Sequence, residues 1–182
     1  MKSSGGVRDG VAEFCAGGRK LLKWGLPAGT SKTILLLGSV FAVKRVEWQQ
    51  LAERWLTDAQ VLLDGHCWSA AYYLAGYAVE CGLKSCVLAR LAVSPEVIFE
   101  NKRFSENCWT HSVLELVKLA DLEIARASDV AGNAHLARNW LVVKDWSEKA
   151  RYQKVSHHKA KKLFLSITDK HNGVMQWIRA RW

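Results

Sequence analysis

Proline is nearly missing from this chain: Pro27 and Pro95 are the two among 182 residues. A β-sandwich or barrel of this length is rich in turns, and long stretches without turn residues favour helices instead. Cysteines are present but do not form a pattern. Cys15, Cys67, Cys81, Cys86 and Cys108 are odd in number, irregular in spacing and include no CxxC pair. That is neither a disulfide framework nor a zinc-finger spacing. Cys67, Cys81 and Cys86 stand among apolar neighbours and are expected as buried free thiols, which fits a reducing, cytoplasmic setting. No His, Asp and Glu cluster has metal-ligand spacing, and no serine sits in a GxSxG turn. Neither a metal nor a cofactor is therefore expected. The apolar run ILLLGSVFAV (34–43) has ten residues, too few to span a bilayer, so no membrane association is expected. GLPAGTSKT (25–33) imitates a phosphate loop but has Ser31 where that loop needs glycine before its lysine.

What the chain does have is unevenly placed. Residues 1–45 hold eight of the thirteen glycines. They also hold eight Lys/Arg against two Asp/Glu, a net charge of +6. Residues 46–182 hold eighteen against fifteen, a net of +3. The helical pattern begins abruptly at VEWQQLAERW (46–55). This break predicts a Gly-rich basic extension over 1–45 and one domain over 46–182. It also predicts Val46 as the translation start, read from a GTG codon.

The domain reads as helices. Trp48, Leu51, Trp55, Ala59 and Leu62 mark one apolar face over 48–63, and Asp64-Gly65 stops it. A second, longer helix is expected over 67–91. Its small residues, Ala71, Ala75, Gly76, Ala78 and Gly82 among them, permit close approach by a neighbour. Residues 92–110 read as a connecting loop. Ser112 and Glu115 have capping-box spacing at the start of the next helix. Further helical stretches are expected at 121–130, 134–143, 156–168 and 174–182, with a short turn or a helix start at 145–152. No alternating strand pattern and no repeat stands out. The expected fold is all-α, an antiparallel up-and-down bundle of about five helices.

LAERWLTDAQVLL, AAYYLAGYAVECGLKSCVLAR, THSVLELVKLA, DWSEKARY and GVMQWIRARW occur in that order. Together they resemble the HEPN family (higher eukaryotes and prokaryotes nucleotide-binding) over roughly residues 46–182, the AxYLAGYAxExxLK stretch being the most specific part. The resemblance implies a helical bundle, usually a homodimer, that binds a nucleotide or RNA. It implies a nucleotidyltransferase-type protein partner and a place in a toxin–antitoxin or defence system. Some members are metal-independent endoribonucleases with an Arg, a polar residue and then a His. Arg151 and His157 have that spacing here, with Tyr152 in place of the polar residue.

Seven residues are the candidates for function. Glu80 and Lys84, four apart on an apolar helix, are either a packing pair or a phosphate-binding lysine oriented by an acid. Asp58 is a further supporting acid, able to pair with Lys84 or Arg151. His111 precedes a helix start and is either a general acid–base or a cap-region histidine. Arg151 suits bidentate phosphate binding, and Tyr152 suits stacking on a base. His157 opens a basic helix face with His158, Lys159, Lys161 and Lys162. In the catalytic reading, His111 or His157 moves the proton of a ribose 2′-hydroxyl and Arg151 stabilises the charged transition state. In the other reading the chain is a non-catalytic protein-interaction module.

Overall fold

The computed structural model describes residues 43–182. Expectations for residues 1–42, including Cys15, the apolar run and the phosphate-loop-like stretch, lie outside the described residues. The described residues are helical with no strand among them. Helix α1 (Arg45–Asp64) ends at Gly65, and α2 (Trp68–Val93) folds back along it. His66 takes a positive φ of 61° in the link between them. After α2 come two single turns, α3 (Val97–Glu100) and α4 (Phe104–Asn107), then α5 (Val113–Leu119), α6 (Glu123–Gly132) and α7 (Ala134–Val143). A 3-10 turn (Glu148–Tyr152) leads to α8 (His157–Thr168) and α9 (Val174–Arg179).

Helix α2 is the axis of the described residues. Helices α1, α5, α8, α9 and the 3-10 turn all pack on it. Its small residues are the reason. A Cβ on Gly76 would fall inside the Trp146 indole, and one on Gly82 would lie 2.9 Å from Ile178 Cγ2. Glycine lowers helix propensity, but here it admits a tryptophan ring and an isoleucine to the helix backbone. The core around α2 includes Leu83, Leu116, Trp140, Leu163 and Ile178, all buried.

Local chemistry fixes the later helices. The Ser112 hydroxyl accepts from Glu115 N–H at 3.4 Å, and the Ser156 hydroxyl accepts from Lys159 N–H at 3.3 Å. The Asn133 side chain accepts from the N–H groups of His135 and Leu136, both at 3.0 Å, and separates α6 from α7. The C-terminal end of α9 is clamped by ions on two sides. Arg179 donates twice to Glu53 of α1, and Arg181 reaches Asp129 of α6. Asp129 also accepts from Trp177 Nε1 at 2.8 Å.

Two expectations are corrected. The loop expected at 92–110 contains α3 and α4, because Val97 and Phe104 are buried and pull their turns onto the core. Cys67 is exposed, unlike the buried Cys81 and Cys86, because it sits at the N-cap of α2 just outside the packed length.

Candidate functional site

Glu80 is the buried acid of α2, with 0 % of its side chain exposed. An unpartnered carboxylate at such a position would cost several kcal/mol. Two basic groups meet it. Lys84, one turn on, donates from Nζ to Oε1 at 2.8 Å. His111, brought in by the packing of α5 on α2, sets Nδ1 at 3.0 Å from both Oε1 and Oε2. A carboxylate only accepts, so Nδ1 carries the proton and Nε2 is left as the reactive ring nitrogen. The His111 side chain is 44 % exposed and Lys84 is 13 % exposed. The arrangement is thus a buried acid that orients a half-open histidine and a nearly closed lysine.

The acid's field reaches its neighbours. Burial, then the Glu80 charge, pushes the Tyr77 phenol up to about 12. The same two causes, in the same order, push the Cys81 thiol to about 12, with Lys84 pulling the other way. Both groups stay protonated at neutral pH and neither is a nucleophile there.

Lys84 also borders a cleft of about 510 Å³. Its Nζ lies 5.1 Å from the centroid of the Trp48 ring. Leu88 and Leu91 of α2, Phe104 of α4 and Trp109 complete much of the lining.

The other candidates lie elsewhere. Arg151 and Tyr152 are exposed on the 3-10 turn, with the guanidinium 4.8 Å from the centroid of the Tyr152 ring. The segment after that turn is tied to the start of α2, where Ser69 Oγ accepts from Val155 N–H at 2.9 Å. The His157 ring packs on Trp68, centroids 4.5 Å apart. Trp68 and Glu80 share one helix and stand about 18 Å apart along it. Within the chain, then, His111 with Lys84 and Glu80 forms one group, while Tyr152, Arg151 and His157 lie in a second segment. Asp58 is half-buried and forms no ion pair with Lys84 or Arg151 among the described residues.

Sequence reasoning passed over part of that second segment. Residues 149–162 contain Lys149, Arg151, Lys154, Lys159, Lys161 and Lys162 and no acid. All six are exposed, and none is in an ion pair among the described residues. Elsewhere in 46–182, twelve Lys/Arg face fifteen Asp/Glu. The acid-free run was the available signal. The joint lining of one cleft by Trp48 and Trp109 had none, because those residues are far apart in sequence.

The fold and site define an all-α protein with a buried carboxylate shared by a lysine and a histidine, and a separate basic surface. Neither a protein-family model, nor a curated protein, nor a solved structure matches the chain. Among the described residues, no three His, Cys, Asp or Glu side chains converge as a metal site, and no helix is long and apolar enough to cross a membrane.

Proposed function

We propose that the chain is a HEPN-like up-and-down helical module that works as a homodimer and binds RNA through its phosphates. The observation that carries this reading is the segregation of charge. The acid-free segment 149–162 supplies six exposed cations to a domain that is otherwise net negative. Solvent-exposed Tyr152, 78 % open, stands among them as a stacking surface for a base. The helix N-terminus at His157 adds its own positive end to the same segment.

The Glu80–His111 pair extends the reading to chemistry. Nε2 of His111 is the group suited to take the proton of a ribose 2′-hydroxyl, with Glu80 holding the ring and stabilising the imidazolium. The attacked phosphate then needs a cation, which Lys84 supplies in the same subunit and Arg151 supplies across a dimer. As the 2′-oxygen bonds to phosphorus the P–O5′ bond breaks, the departing 5′-oxygen takes a proton from water, and His111 later returns its proton to solvent. The products would be a 2′,3′-cyclic phosphate and a free 5′-hydroxyl, with no metal required. A nucleotidyltransferase-type partner, as in toxin–antitoxin or defence pairs, is the protein context this reading implies.

RNA binding by the full chain tests it. Residues 1–45 carry a net charge of +6, so bare binding decides nothing and the variants decide. Arg151→Ala, Lys154→Ala and Lys161→Ala are each expected to weaken binding of a single-stranded RNA. Each is also expected to reduce the slope of log K against log salt by about 0.7. Unchanged affinity and slope in all three would overturn the proposal. A metal-free cleavage assay beside His111→Ala tests the chemical step separately.

The second reading, a protein-interaction module, is favoured by one observation. Ile98, Phe99 and Trp109 are large, apolar and exposed on neighbouring short segments.

A further inference from the structure

The cleft beside Lys84 has a lining that suits a different ligand from RNA. Helix α2 presents Lys84, Val87, Leu88 and Leu91 to it, at steps of three and four residues. These form one stripe about 10 Å long, with the lysine at its N-terminal end. Trp48 and Trp109 also border the space. Its volume, about 510 Å³, is that of a small-molecule site. Among the described residues, Lys84 is the one charged residue of the lining.

That ammonium is paired with Glu80 but has donors to spare. An ammonium has three N–H donors, and Glu80 takes one of them. No second acceptor for Lys84 occurs among the described residues. Glu80 itself is wholly buried and is not part of the lining, so among the described residues no acid lines the cleft. An occupant therefore meets apolar carbon along its length and an ammonium at one end. A nucleotide would place most of its base edges and hydroxyls against a largely apolar lining, whose polar side-chain groups besides Lys84 are the Ser105 hydroxyl, the Cys108 thiol and the two indole N–H groups. An organic cation would face Lys84 directly.

We infer that this cleft binds an organic monoanion with an apolar chain, of the fatty-carboxylate class. The carboxylate sits on Lys84 Nζ and the chain runs along Val87, Leu88 and Leu91. Trp48 contacts both the ammonium and the occupant's first carbons. Lys84 is common to this inference and to the cleavage step proposed above, whereas RNA binding is assigned to the basic segment 149–162, no residue of which lines the cleft.

Decanoate, decanol and decyltrimethylammonium, added to the full-length protein, separate the terms. Ligands that bind only the folded state raise the melting temperature in proportion to log concentration above Kd. Decanoate is expected to raise Tm saturably, decanol to raise it less, and decyltrimethylammonium not to raise it. Two variants locate the site. Lys84→Met removes the ammonium and is expected to weaken decanoate at least tenfold. Ser105→Trp is the second, because Lys84→Met also strands Glu80 and could destabilise the fold. Ser105 is exposed and lines the cleft, so the new ring blocks the cleft without entering the core. Ser105→Trp is expected to keep the Tm of the free protein and lose the response to decanoate. Absence of a decanoate response, an equal response to the trimethylammonium compound, or an unchanged response in Ser105→Trp would each overturn the inference. RNA affinity measured in the same Ser105→Trp protein is expected to stay at the wild-type value, so failure of one reading is distinguishable from failure of the other.

Discussion

Glu80 carries more of the local energetics than any other polar residue of α2. It is fully buried and has two donors, so removing it leaves Lys84 with its charge against apolar side chains. Glu80→Ala is expected to cost about 3–5 kcal/mol in urea unfolding, because a broken buried pair is worse than none. Glu80→Gln keeps an acceptor for Lys84 and is expected to cost less. The buried thiols give a pH prediction. Burial raises Cys81 and Cys86 from 9.0 to about 12. Below the unfolded value both states hold the proton and the contribution is constant. Above it the unfolded chain releases protons that the folded chain keeps, so stability falls as pH rises toward 12. Urea midpoints measured across that window are expected to fall less steeply in Cys86→Ala than in wild type. The Glu80–Lys84 spacing was legible in sequence, and so was the oddity of charge on an apolar helix. The arrival of His111 was not, because it depends on α5 crossing α2 at one particular turn.

At the scale of elements, periodicity and caps carried most of the information. The apolar face of α1, the stop at Gly65 and the Ser112 cap were all readable, since each depends on residues within a few positions. The small residues of α2 announced a close neighbour but not which one. Trp146 takes that place at Gly76, and nothing local to either residue indicates it. The contact yields a prediction with a telling sign. Gly→Ala inside an exposed helix stabilises by about 1 kcal/mol. At Gly76 the added methyl meets an indole, so Gly76→Ala is expected to destabilise by about 1–3 kcal/mol in thermal or urea unfolding. The single turns α3 and α4 were not readable for a related reason. Each is four residues long, too short to show a period, and each is held by one buried apolar side chain.

Across the described part of the molecule, the helices differ in how far along the chain their partners lie. Helices α1 and α2 meet through a three-residue link, a local contact with little entropy of closure. The Arg179–Glu53 clamp joins residues 126 apart. Composition could show that 46–182 is one mildly basic domain, but not that its basic charge gathers on one segment while α9 is fastened by ions. That requires knowing which cations already have partners. The clamp has a consequence in time rather than in energy. Contacts between distant residues form late, after local helix pairs have collapsed. Arg179→Ala is therefore expected to speed unfolding in stopped-flow experiments while leaving the refolding rate near that of wild type. By the same order, hydrogen exchange is expected to reach the amides of 174–179 before those of α2. The chain would come undone by releasing α9 first, with the α1–α2 pair the last to open.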